Sequence, residues 1–211
     1  MSYKVVIDSC GELTEEMKNS GNFVTAPLTI YVDEYTIVDD ETFDQKDFLA
    51  KVATSPNCPK SACPSPEAYK NEFDCDVDRV YAVTLSSELS GSYNSAQLGR
   101  NLLLEDHPER KVHVFNSCSA SVGETVIGLK IMECEEAGMS FEETVKTVEE
   151  FIHEKGTWFV LESLETLRKN GRLSTMKAML ATALKIKPVM IGTKEGTIEP
   201  VAQVRGINKA L

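Results

Sequence analysis

Short, unbroken apolar runs that stop on a small polar residue set the rhythm of the chain. Lys4-Val5-Val6-Ile7 ends at Asp8-Ser9, and the form returns at Val80 to Leu85 and at Val112 to Phe115. Runs of this length without alternation are what strands covered on both faces look like. After the second run, Leu89, Tyr93, Ala96 and Leu103 fall on one side of a helix, and after the third, Val122, Val126, Leu129 and Met132 repeat at helical spacing. Strand, helix, strand, helix predicts a parallel sheet with helices on both faces. Ser140-Phe141-Glu142-Glu143 has the form of a capping box, and Phe141, Val145, Val148 and Ile152 mark the buried stripe of the helix it opens.

Around Gly156 the pattern changes. Thr157 to Leu161 reads as a strand, followed by short helices near Ser163 to Lys169 and Ser174 to Ala183, with Gly171 as a left-handed stop between them. Lys187 to Gly192 and Ile198 to Val204 read as two further strands joined through Lys194-Glu195-Gly196. The fold class predicted is therefore α/β: a parallel-sheet domain over residues 1–155, then the start of a second α+β domain over residues 156–211. That second unit looks truncated, because two strands and two short helices offer little core and a helix could be starting at Asn208-Lys209-Ala210-Leu211. The segment from Thr54 to Pro66, with prolines at 56, 59, 64 and 66, is expected to be a loop.

Charge narrows the function classes. Against 22 Lys+Arg stand 33 Asp+Glu, a formal net charge of -11, and a nucleic-acid binder gains most of its affinity by neutralising phosphates with Lys and Arg. The same balance disfavours an anionic membrane surface. The longest apolar runs, such as Trp158 to Leu161, fall far short of the roughly 18 residues a membrane span needs. Met1-Ser2-Tyr3-Lys4 leads straight into a strand, with no basic stretch before a long apolar one, so the expected location is the cytoplasm. Six cysteines (Cys10, Cys58, Cys63, Cys75, Cys118 and Cys134) are sparse in 211 residues and are expected to be reduced. Cys58 and Cys63 have no second ligand pair at a matching distance, so no metal is expected.

Ligands of an open parallel sheet bind beyond the carboxyl ends of its strands. The residues found there are hydroxyls: Ser9 after the first strand, Ser86-Ser87-Glu88-Leu89-Ser90-Gly91-Ser92 after the second, and Ser117-Cys118-Ser119-Ala120-Ser121 after the third, with Ser61 to Ser65 adding more. Each cluster precedes a predicted helix, whose first N–H groups are unpaired and favour an anion. Serine is also the ordinary helix N-cap and needs no ligand to stand there; Ser65 before Pro66 reads as a cap alone. Ser90-Gly91-Ser92 offers two hydroxyls around a glycine, one more than a cap requires. Neither Lys nor Arg lies inside these clusters and no phosphate-binding glycine loop occurs, so a carboxylate suits the site better than a nucleotide. The histidines are His107 in a loop, His113 within a strand and His153 late in a helix. None is placed to activate a serine. An alternative remains a small serine hydrolase or acyltransferase using Ser90 or Ser117. A thiol protein using Cys63 and Cys118 lacks a Cys-x-x-Cys pair.

Five motifs in register make the chain resemble the DegV family of fatty-acid-binding proteins. They are Asp8-Ser9; Ser61-Ala62-Cys63-Pro64-Ser65-Pro66; Leu85 to Ala96; Leu164 to Ser174; and Leu184-Lys185-Ile186-Lys187-Pro188. The resemblance covers the whole chain. It implies two domains whose cleft holds one long-chain fatty acid, such as palmitate, stearate or oleate. The carboxylate would sit at the mouth and the tail in an apolar tunnel, with no catalytic role and no further cofactor. The implied partner is the catalytic subunit of a fatty acid kinase, which phosphorylates the presented carboxylate. Residue by residue, Ser61 stands where the family has a head-group threonine, Ser90 and Gly91 form the Ser-Gly turn, and Arg172 is the arginine near the head group. Ala62-Cys63 replaces a Ser-Gln pair and Asn170 a glycine. The family extends by a helix-strand-helix portion beyond Leu211, which carries a head-group histidine.

Overall fold

The computed structural model describes residues 2–161, 165–172 and 186–206. Strand β1 (Tyr3–Asp8) is followed by helix α1 (Glu15–Ser20), β2 (Phe23–Ala26), β3 (Thr29–Val32), β4 (Tyr35–Val38), α2 (Gln45–Thr54), β5 (Lys60–Ala62) and α3 (Pro66–Phe73). Then come β6 (Arg79–Thr84), α4 (Ser92–Asp106), β7 (Lys111–Asn116), α5 (Val122–Glu136) and α6 (Phe141–Glu154). The remainder is β8 (Thr157–Val160), α7 (Glu165–Lys169), β9 (Ile186–Gly192) and β10 (Ile198–Arg205).

Four strands form a parallel sheet in the order β2-β1-β6-β7. Successive side chains of a strand point to opposite faces, and here both faces are apolar. Val5, Ile7, Tyr81, Val83 and Phe115 pack with Met17, Ile127, Ile131, Val148 and Ile152 from α1, α5 and α6. On the other face Val6, Val80, Ala82, Val112 and Val114 meet Tyr69, Phe73, Ala96 and Leu103 from α3 and α4. This is the predicted α/β sheet with helices on both faces, and each fully buried side chain of this size is worth about 1.5 to 3 kcal/mol. The capping box of α6 is complete: the Glu143 N–H donates to Ser140 Oγ and the Ser140 N–H to Glu143 Oε2.

The predicted stripe of α5 holds at its second half, where Leu129 and Met132 pack into the core, and fails at its first. Val122 and Val126 are 66% and 39% exposed, while Glu124, Ile127, Ile131 and Cys134 are buried. The helix is apolar nearly all round, so its sequence alone does not say which side meets the sheet. The segment expected to be a loop holds a strand: β5 pairs antiparallel with β3, which also pairs with β4. Three residues between Pro59 and Pro64 are too few to show alternation, and an edge strand tolerates flanking prolines. The 13–54 stretch also contains α1 and α2, each opened by a side-chain cap, Thr14 and Asp44.

After α6 the strands turn antiparallel, in the order β10-β9-β8, matching the three strands predicted after Gly156. Gly171 is left-handed at φ 74° just beyond α7, closing that helix as expected. The helix predicted at Ser174 to Ala183 and the one starting at Asn208 lie outside the described residues.

Candidate functional site

The carboxyl ends of β1, β6 and β7 meet at one edge of the parallel sheet, and most hydroxyls gathered there hold the fold. Ser9 Oγ accepts from the Leu28 N–H, Ser87 Oγ from Asn116 Nδ2, and buried Ser117 exchanges bonds with the backbone of Ser119. Ser119 Oγ meets Thr157 Oγ1 at 2.8 Å, and Ser65 caps α3 through the Ala68 N–H. Ser86 Oγ, fully buried, donates to the Gly196 carbonyl at 2.8 Å. It thereby ties the β9–β10 turn to the end of β6. Gly196 stands at φ 88°, and a Cβ there would lie 2.2 Å from Ser86 Oγ, so the contact requires glycine.

Ser61 and Ser90 are set apart by the cavity they line together. Ser61 is exposed in the middle of β5, opposite Ile30. Ser90 Oγ accepts only from the Ser92 N–H at 3.2 Å, which leaves its own O–H without an acceptor among the described residues. Gly91 is the N-cap of α4 and offers no side-chain cap. The four N-terminal amides of a helix lack partners within it. Arg172 Nε donates to the Leu89 carbonyl at 3.4 Å and Nη1 to the Asn170 carbonyl at 3.0 Å, which holds the guanidinium beside the turn. Two of its five N–H donors are thus used, and the rest have no acceptor among the described residues. All four residues, with Cys10 and Cys63, line one cavity of about 450 Å³. Such a mixture of hydroxyls, helix amides and one cation is suited to an anion with few lone pairs to satisfy.

A second cavity of about 340 Å³ adjoins it, and Leu89, Ala120, Leu167 and Ile198 line both. Its other walls include Phe159, Leu161 and Trp158. The first cavity sets a few polar groups among apolar walls, and the second is lined almost wholly by apolar surface. None of the three histidines lines either cavity; His113 is instead engaged with Glu149 at 3.0 Å.

Beneath the first cavity lies a network that the sequence patterns did not announce. Asp8, fully buried, accepts from the Leu85 N–H (2.8 Å) and Ser92 Oγ (2.6 Å) on Oδ2, and from the Cys10 N–H (3.2 Å) on Oδ1. Since the Ser92 proton goes to Asp8, the Tyr69 hydroxyl 2.6 Å away must donate to Ser92. Glu124 is buried beside this group and its carboxyl is pushed well above the usual range, first by burial and then by the Asp8 charge. Burial likewise raises the Cys10 thiol and the Tyr69 phenol, so neither is an activated nucleophile. The Lys155 ammonium, half-buried, is lowered by desolvation.

The profile of the DegV family, described as an uncharacterised protein family, matches residues 2–211. The chain belongs to the DegV family. A DegV domain-containing protein of Streptococcus pneumoniae is 35% identical over 213 residues, covering 100% of this chain and 75% of that protein. Among solved structures, a DegV family protein from Ruminococcus gnavus with vaccenic acid is 54% identical at a TM-score of 0.96, over 100% of this chain and 75% of that one. The fatty acid kinase (Fak) B3 protein of Streptococcus pneumoniae, loaded with linoleic acid, is 35% identical at a TM-score of 0.88, with the same coverage. A DegV protein from Eubacterium eligens loaded with heptadecanoic acid is 31% identical at 0.87, over 99% and 74%.

In this DegV chain the motif residues Ser61, Ser90, Gly91 and Arg172, far apart in sequence, come together. Asp8 stands in the first of the motifs, but its buried neighbour Glu124 was missed because a lone acid in a helix reads as solvated. The signal available was its place, with Glu124 in a first half of α5 that has no other charged residue before Lys130. Among the described residues no helix is long and apolar enough to cross a membrane, and no group of three His, Cys, Asp or Glu could hold a metal. All six cysteines are free thiols.

Proposed function

We propose that this protein binds one long-chain fatty acid and presents its carboxylate to the catalytic subunit of a fatty acid kinase in the cytoplasm. Ser61, Ser90, the Gly91 turn and Arg172 hold the carboxylate, and the tail lies between units 1–155 and 156–211. The observation that carries this reading is the pair of adjoining cavities that share walls, one carrying Ser61, Ser90 and Arg172 and the other almost wholly apolar. Their combined form suits an amphiphile with one charged end and a tail of palmitate, stearate or oleate size. The fatty acids bound by DegV structures from other bacteria support the ligand class. Exposure of Ser61 and Gly91 at the mouth supports presentation, because a carboxylate must be reachable to be phosphorylated.

The chain itself is read as non-catalytic. Acyl transfer by Ser90 or Ser117 would need a base beside the serine. Ser117 is buried in backbone hydrogen bonds and no histidine reaches the cavities. Organic extraction of the purified protein followed by mass spectrometry is expected to yield about one acyl chain per molecule. Recovery of no acyl chain, together with no binding of added fatty acid, would overturn the proposal. Incubation with ATP, Mg²⁺ and fatty acid is expected to give acyl phosphate only after the kinase subunit is added, and turnover by the chain alone would make it an enzyme.

A further inference from the structure

Glu124 is the one side chain in this region with no evident place. It is 0% exposed, and neither Oε1 nor Oε2 makes a well-aligned hydrogen bond among the described residues. Helix α5 holds it against the β1–α1 loop so tightly that a Cβ on Gly11 would lie 2.9 Å from its Cβ and 3.4 Å from Oε2. The titratable groups facing it are the Asp8 carboxyl and Cys10 thiol from the end of β1, Tyr69 from α3 and, more distantly, Lys155 beyond α6. Of these only the Cys10 thiol approaches as a donor, beside the Ser121 backbone N–H, and neither bond is well aligned; burial outweighs both, and an ionised carboxylate so placed would cost several kcal/mol. Asp8 already accepts three donors, so it is the acceptor of the two.

We propose that Glu124 is a neutral carboxylic acid at physiological pH, sharing its proton with Asp8, and that this proton keeps the floor of the head-group cavity receptive to an anion. The second half of this inference rests on the fatty-acid reading above. The link is geometric. Asp8 fixes the Leu85 and Cys10 amides and, through Ser92, the first turn of α4, and Cys10, Leu85 and Ser90 line the cavity. A carboxylate bound there would lie above a pair carrying one negative charge when protonated and two when not. Loss of the proton therefore opposes the ligand, and by reciprocity the ligand makes the proton harder to remove. No covalent step is involved: one proton moves between Glu124 and solvent. Glu124 acts through Asp8 and is a positioning residue, not a ligand contact.

Infrared spectroscopy of the unliganded protein at pH 7 tests the protonation directly. A carbonyl stretch of a protonated carboxyl is expected, shifted by carboxyl-¹³C glutamate labelling of the natural chain and missing from Glu124→Gln. Absence of any label-sensitive band overturns the proposal, and because labelling needs no substitution the result stands even if the variant folds poorly. The linkage is read by affinity for oleate and for oleyl alcohol from pH 6 to pH 9. Oleate affinity in the natural chain is expected to fall about tenfold, one pKa unit of coupling, with no fall for the alcohol and none for Glu124→Gln. Parallel oleate profiles in the two proteins would overturn the linkage. Binding of neither lipid at any pH would overturn the fatty-acid reading instead, leaving the infrared band to decide the proton.

Discussion

Among the described residues Ser90 has an unused hydroxyl proton at the cavity and Arg172 has unused N–H groups, and the two should differ in how their loss is felt. Ser90→Ala removes one hydrogen bond to a charged acceptor, about 1.5 to 3 kcal/mol, so palmitate affinity is expected to fall about 10- to 150-fold by titration. Unchanged affinity with a lower melting temperature would assign Ser90 to the Ser92 N–H alone. Arg172→Gln is expected to weaken fatty acid binding and leave an alcohol of equal length unaffected; equal weakening would mean that the arginine stem packs against the tail. Glu124 carries a pH prediction for stability. Its folded-state value lies above that of the unfolded chain, so its contribution is fully present below about pH 4.3, the ordinary carboxyl range, and is lost as pH rises through the folded value. In that window stability should drop by at most about 1.4 kcal/mol per pH unit relative to Glu124→Gln, measured by denaturant unfolding at a series of pH values.

At the scale of elements, legibility followed how local the physical signal was. The Ser140–Glu143 box of α6 lies within four residues and was readable because both reciprocal bonds belong to the same turn. Ser140→Ala is expected to cost about 1 kcal/mol, seen as a lower urea midpoint at unchanged slope. The buried strands β1, β6 and β7 were equally plain, since a run such as Val80 to Val83 has few other homes. What was hidden depended on partners distant in sequence. The three residues of β5 become a strand only because β3 lies beside them. The phase of α5 is set by Ile7 and Met17 on neighbouring elements rather than by its own pattern. The residues proposed for the head group were legible as motifs and not as a site: nothing local in Ser61 or Arg172 says that they line one cavity. The hydroxyl clusters misled in the opposite direction, because Ser86, Ser117 and Ser119 spend their hydrogen bonds on backbone and on Thr157.

The whole molecule is an α/β sheet bearing an antiparallel unit across its carboxyl edge, and a ligand lodged between them should stabilise both. At a free fatty acid concentration about 100 times the dissociation constant, stabilisation of about 2.7 kcal/mol is expected, visible as a rise in melting temperature. No rise at saturation would mean that the ligand binds the unfolded chain as well or not at all. The hydrogen bond from Ser86 to the Gly196 carbonyl bears on how quickly such a ligand comes and goes. Gly196 and Thr197 form part of the wall of the apolar cavity, so lifting the β9–β10 turn to release a tail must break that bond. Ser86 lines neither cavity, so its expected effect is on residence time rather than on head-group recognition. Replacing it with alanine forfeits about 0.5 to 1.5 kcal/mol, which would shorten the lifetime of the complex by roughly 2- to 12-fold in a stopped-flow exchange experiment. The discrimination between acid and alcohol would stay as it was. A serine that looks like one more member of a binding cluster is, on this account, a latch that sets how long a bound ligand stays.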